Sequence, residues 1–192
     1  MSLLHTIRSV TLGMPHILLG GVPSVRAGEE RLAIKRMGKD RRPANLQLAS
    51  GTFVPGCALP FRSSADGDNL SPSLRWGEPP PGTKSLAVLV EDPDAPTPQP
   101  FVHWLVYNLP PRLRALPEGF SGTTQGKNSM FKVGFAGVAP PKGDLPHHYH
   151  FQVFALDCQL PLHGAVGRSA LLKALHGHLL AAGDLVGTFA RP

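Results

Sequence analysis

A mainly β fold with peripheral helices is predicted by three features of this 192-residue sequence. Short apolar runs are bounded by turn residues, 21 glycines and 21 prolines are spread along the chain, and helical periodicity is scarce before the C-terminal segment. The length suits one domain with a full core, and 42% hydrophobic residues support a globular chain.

Residues 1–43 are read as a basic N-terminal helical extension and residues 44–192 as the domain that follows. Eight of the Lys and Arg residues and three of the acids lie in 1–43, whereas the remainder holds eleven against ten, so most of the net charge of +6 sits in the leader. Basic side chains beside an anionic membrane contribute about 1 kcal/mol each. The aromatic interleaving of nucleic-acid binders is absent, so a solvated helix and linker is the simpler reading and nucleic acid is not expected. The mildly apolar stretch 10–20 is interrupted by Pro15 and His16 and preceded only by Arg8 as a fixed positive charge. It makes a poor export signal and is too short to span a membrane. The cytoplasm is the expected compartment, with periplasmic export as the alternative.

Ser85–Val90 has the signature of a buried strand, and Asp92-Pro93-Asp94-Ala95-Pro96 stops it with residues that cannot continue a ladder. A second strand resumes at Val102. Strict alternation puts His103, Leu105 and Tyr107 on one face and Trp104 and Val106 on the other. If the two strands are neighbours, the loop brings Asp92 or Asp94 back towards His103 as its carboxylate partner.

A Gly/Pro-rich loop from Gly134 feeds a third strand starting near His147. Alternation places His147, Tyr149, Phe151 and Val153 on one face and His148, His150, Gln152 and Phe154 on the other. The run 147–150 resembles a metal tract, but neighbouring strand residues point to opposite sides, and no C-x-x-C pair accompanies it; no metal and no cofactor are expected. Cys57 and Cys158 read as reduced thiols, with a bridge between them left open. Leu171, Leu172, Leu175, Leu179 and Leu180 recur at helical spacing, predicting a helix over 168–182 with Ser169 as N-cap and Gly183 as its stop. His176 and His178 are then helix-surface residues.

These residues resemble the phosphatidylethanolamine-binding proteins, most closely their bacterial Raf-kinase-inhibitor-like branch. The likeness runs through Asp66–Trp76, Gly82–Ala87, the Asp-Pro-Asp-Ala-Pro loop, His103-Trp104, Asn108-Leu109-Pro110, Pro140–Gly143 with His147 and Tyr149, and 177–189. Together these cover most of 44–192 in the family's order. The resemblance implies a two-sheet β-sandwich with peripheral helices. It also implies a small anion pocket lined by Asp92, His103, Pro141, His147 and Tyr149, with Asp94 as a loop-organising carboxylate. The sequence departs from the family pattern at Phe135, where tyrosine is usual, and at Val138-Ala139, where the bacterial branch has Pro-Cys.

The implied function is non-catalytic binding of phosphate, phosphoethanolamine or a phospholipid headgroup. His103 and His147, one or both protonated, would supply charge and N–H donors, the Tyr149 hydroxyl and loop backbone N–H groups would add hydrogen bonds, and Asp92 would disfavour a dianion. An enzyme would need a nucleophile, yet no Gly-x-Ser-x-Gly elbow occurs and 121–128 fails the phosphate-loop pattern. A metal-assisted hydrolase is the more distant alternative. By resemblance, a kinase or protease is the expected protein partner, inhibited through the pocket rim or a separate face. Peripheral membrane contact and a homodimer are compatible with the sequence.

Overall fold

The computed structural model describes residues 25–38, 44–122 and 124–191. Expectations for 1–24 and 39–43 lie outside the described residues. The described part of the leader holds a 3-10 turn at Glu29–Arg31 and a five-residue helix, α1 (Ala33–Met37). The strands are β1 (Ala44–Asn45), β2 (Leu74–Arg75), β3 (Ser85–Asp92), β4 (Phe101–Leu109), β5 (Ala115–Leu116), β6 (His147–Leu156) and β7 (Leu179–Phe189). A second helix, α2, spans Arg168–Leu175. The chain is mainly β: a five-stranded sheet in the order β1-β7-β6-β3-β4, and a two-stranded ladder of β2 and β5. The long neighbours pair antiparallel; only the short β1 runs parallel to β7.

β3 is buried along all eight residues because both faces of the sheet are covered, which explains its unbroken apolar run. Leu86, Val88 and Val90 pack with Trp104, Phe151 and Val153 beneath the β2–β5 ladder residues Leu74 and Leu116. Ala87 and Leu89 pack with Leu105, Phe154, Leu171 and Leu175 beneath the helices. On the first of these faces the cover is the two-stranded ladder with loops.

Two expectations are overturned. Along β4 the alternation breaks: Val90 pairs with Trp104 but Glu91 with Val102, so β4 carries one extra residue there, a β-bulge. Val102 and Leu105 consequently share the helix-side cluster, while His103 contacts Tyr149 on the opposite side. His103 therefore does not share the face of Leu105 and Tyr107. The bulge turns its ring towards the site.

The predicted helix over 168–182 ends at Leu175. Gly177 turns the chain at a φ of 83°, and Leu179 and Leu180 open β7, which pairs with β6 over most of its length. Gly167, not Ser169, is the N-cap, and Gly183 sits mid-strand opposite Val153. Pairing with a long central strand outweighed a leucine periodicity that suits either structure.

Glu91, fully buried on the helix side, ties the leader to the sheet. Its Oε2 accepts from the Ala33 N–H (2.8 Å) and from Gln152 Nε2 (2.8 Å), and its Oε1 from Arg168 Nε. Gln152 Oε1 accepts from the Ile34 N–H at 2.7 Å. Two amides at the start of α1, which have no partner within the helix, thereby find buried acceptors. Arg168 also donates to the Arg31 carbonyl, and Arg31 to the Pro98 carbonyl in the loop after β3.

Candidate functional site

The C-terminal end of β3 meets the starts of β4 and β6 around a cavity of about 350 Å³. Asp92, His103 and His147 are its buried polar groups. Phe101, Met130, Ala139, Pro140 and Pro141 contribute apolar wall. A larger hollow of about 830 Å³, lined by Arg36, Arg168 and Lys173 among others, lies by α1 and α2 on the other side of the sheet. Among the described residues no Asp or Glu lines it, whereas the smaller cavity holds Asp92 paired with His147 and is the better candidate.

Asp92 is 3% exposed and is held by three donors. Its Oδ1 accepts from the N–H groups of Asp94 (2.8 Å) and Ala95 (3.0 Å), closing an Asx turn that aims the side chain inward. Its Oδ2 lies 2.8 Å from His147 Nδ1. The carboxylate partner predicted for His103 thus belongs to His147. The correction follows from the sheet order: β3 has β6 on one side and β4 on the other, and His103 is committed elsewhere by the bulge.

The second nitrogen of His147, Nε2, is 3.2 Å from Asp144 Oδ2. Carboxylate oxygens only accept, so in each of these contacts the ring nitrogen is the donor. Asp144 is held below the usual carboxylate range by the His147 hydrogen bond, against a smaller opposing effect of burial and with help from Arg26. Arg26 also donates to both Asp144 oxygens, at 3.1 and 2.8 Å.

His103 Nδ1 is 2.7 Å from the Ala136 carbonyl, which can only accept, so this nitrogen carries the proton. Burial pushes the His103 pKa below its ordinary value, opposed by the Ala136 hydrogen bond and the charge of Asp92. The neutral ring then has an acceptor lone pair on Nε2. Tyr149 meets the ring edge-on, with centroids 5.1 Å apart.

The Tyr149 hydroxyl is buried without a hydrogen-bond partner among the described residues. Burial, then the charges of Asp92 and Asp94, push the phenol well above its usual range, so it stays neutral. Tyr149 packs beneath His103 and is not among the residues lining the cavity. Tyr149→Phe is expected to leave folding stability unchanged or raise it by up to about 1 kcal/mol, because it removes an unsatisfied polar group. Denaturant titration checks this; a larger loss would mean that the hydroxyl is paired.

Asp94 also stands outside the cavity wall. Its Oδ2 accepts from both the N–H and the Nδ1 of His148, each at 2.8 Å, pinning the loop after β3 to the start of β6. Burial works to raise its pKa, but the hydrogen bonds and charge of His148 hold it lower. Pro141 lines the cavity. Of the six residues singled out from the sequence, four therefore line the cavity, while Tyr149 and Asp94 support it from beneath and beside.

Ala65 and Gly137 also line the cavity, and the neighbouring Asp66–Asn69 motif braces them. Asn69 Oδ1 accepts from the Gly137 N–H at 2.5 Å, and Arg191 pairs with Asp66 at 2.7 and 2.8 Å. A Cβ on Gly137 would meet the Ala65 nitrogen at 2.5 Å, so only glycine lets these two segments approach. Phe135 packs edge-on against Trp104, Val138 is core, and Ala139 lines the cavity. Sequence reasoning missed Asp144 and the Ala136 carbonyl. The spacing Asp144-Leu-Pro-His147 was a visible signal for the first; the second, a backbone atom, has none.

A family model described as phosphatidylethanolamine-binding protein matches residues 49–190. A UPF0098 protein of Pyrococcus horikoshii is 32% identical, with 100% of both chains covered. Among solved structures, the chain is similar to YbcL of Escherichia coli, 34% identical with a TM-score of 0.72 over 78% of this chain and 100% of that one. It is equally similar to a putative phosphatidylethanolamine-binding protein homolog of Chlamydia trachomatis, 36% identical with a TM-score of 0.72 over 77% and 99%.

Proposed function

Because the chain belongs to the phosphatidylethanolamine-binding protein family, we propose that the Asp92–His103–His147 cavity binds small anionic groups without turning them over: phosphate, phosphoethanolamine or a phospholipid headgroup. The observation that carries the reading is His147, whose Nε2 already holds a carboxylate oxygen from a half-buried loop residue. An incoming phosphate oxygen takes the place of Asp144, and Asp144 keeps Arg26 as its partner. Asp92 holds the ring in position from behind.

Neutral His103 selects the protonation state of the guest. Its Nε2 lone pair accepts a hydrogen bond from a P–OH or an ammonium group, while Asp92 repels a dianion. Singly charged or zwitterionic guests are therefore preferred, and the apolar wall suits their carbon chain. Among the described residues lining the cavity, the hydroxyl side chain is that of Thr97, which donates to the Gln99 carbonyl and is not poised as a nucleophile. Regulation of a kinase or protease through the rim is supported by Met130, half exposed at the cavity, and its neighbour Phe131, 84% exposed. The unbridged thiols Cys57 and Cys158 fit a reducing cytoplasm.

Calorimetric titration with phosphoethanolamine, inorganic phosphate and sulfate between about pH 8 and about pH 5 tests the reading. The sign follows from His103. Its folded pKa lies below 6.5, so the free protein leaves this ring neutral and an anion favours its protonation. Affinity should rise as pH falls, by up to about tenfold per pH unit for each proton taken up. Sulfate, which carries no P–OH, isolates the protein's own proton. Flat binding of all three anions would overturn the proposal. Without ligand the same shift has the opposite consequence: below the ordinary imidazole range the unfolded chain gains a proton that the buried ring refuses. His103 then lowers folding stability as pH falls.

A further inference from the structure

We infer that Asp157, Cys158 and His178 form a binding site for one divalent transition-metal ion, of which zinc best fits the donor set. The site lies at the far end of β6 from the anion cavity, about 30 Å away along a ten-residue strand. One ligand atom from each residue, a carboxylate oxygen, a sulfur and an imidazole nitrogen, lies within 4.8 Å of the other two. Tetrahedral zinc with ligand distances of about 2.0–2.3 Å separates its ligands by about 3.3–3.8 Å. Small side-chain rotations close that difference. The ion displaces the proton between His178 Nδ1 and Asp157 Oδ1, 2.8 Å apart, and the thiol proton of Cys158, both released to solvent.

The backbone beneath these side chains is already fixed. The Asp157 N–H donates to the His178 carbonyl (3.1 Å), the Cys158 carbonyl accepts from Ser85 Oγ (2.6 Å), and the His178 N–H donates to the Leu175 carbonyl (3.1 Å). The pairing of Leu156 with Leu179 brings the two ligand-bearing segments side by side. Thiolate with imidazole and carboxylate favours zinc or cobalt over calcium or magnesium, which take oxygen donors. Three protein ligands leave a fourth position for water. An exposed Asp–His pair alone would contribute little and would have no use for a sulfur beside it. Bound metal would staple the ends of the 159–177 segment, which carries α2.

The test adds Co²⁺ to the reduced full-length protein. One equivalent should produce a near-ultraviolet sulfur-to-cobalt charge-transfer band with tetrahedral d–d bands in the visible, both removed by Zn²⁺, and Zn²⁺ should raise Tm. C158S should abolish the charge-transfer band, and H178A and D157N should weaken affinity at least about tenfold, the scale on which even outer partners of a metal act. C57S should leave the spectrum intact. D157N changes an exposed side chain and keeps the test informative if another variant fails to fold. Absence of the band in the parent protein, its survival in C158S, its loss in C57S, or unchanged affinity in D157N would each overturn the site. The cavity histidines cannot mimic the result, because no cysteine lines that cavity.

Discussion

Arg168→Met is expected to destabilise the protein by about 3–5 kcal/mol, measured by denaturant titration. Glu91 is fully buried, and the Arg168 side chain is 13% exposed, so the pair is largely shielded from water. Methionine preserves much of the volume but leaves Glu91 Oε1 without its donor. The remaining partners, the Ala33 amide and Gln152, both bind the other oxygen. The same substitution removes the donor to the Arg31 carbonyl, so the segment before α1 should open first and become the earliest site of proteolysis. Adding Glu91→Met should recover much of the loss, since an apolar pair of similar volume avoids the buried charge. A loss below about 1 kcal/mol in the single variant would show that water reaches Glu91 when the arginine is gone.

The second large effect belongs to His147. Its replacement by alanine should weaken phosphoethanolamine binding roughly ten- to a hundredfold, as expected for a hydrogen bond to a charged group worth about 1.5–3 kcal/mol. Asp144→Asn should do the reverse and strengthen binding severalfold, because an uncharged amide competes less well than a carboxylate for the His147 Nε2 position. The opposed signs separate anion recognition from general damage to the fold. His147→Gln, which keeps one donor towards Asp92, should retain more stability than His147→Ala and still bind weakly. Equal affinity in Asp144→Asn and the parent protein would mean that Asp144 does not occupy the anion's position.

Legibility differed from element to element for identifiable reasons. β3, β4 and β6 were plain, because β-branched and aromatic runs stopped by Asp-Pro or Gly-Pro clusters have few other uses. The shared face of His147 and Tyr149 followed from alternation, since β6 pairs with β7 without a register shift along its first residues. The facing of His103 did not, because a bulge is a relation between two strands and leaves no mark in one of them. α2 and β7 were merged for a similar reason: five leucines suit a helix and a strand alike, and the choice was made by β6 alongside. Asp157, Cys158 and His178 were separable neither as a cluster nor as ligands until β6 and β7 lay side by side.

What the chain by itself determined was its inventory and its punctuation: which runs bury, where they must stop, and that acids and imidazoles stand at the stops. Those properties are local, set by side-chain hydrophobicity and by the few conformations open to Asp, Pro and Gly. Only the tertiary structure decided the partnerships, Asp92 with His147, His103 with a backbone carbonyl, Tyr149 beneath the ring, and Glu91 with an arginine 77 residues away. The reason is physical: a hydrogen bond is made within about 3 Å, and which groups come that close depends on sheet order and register, properties of several strands at once.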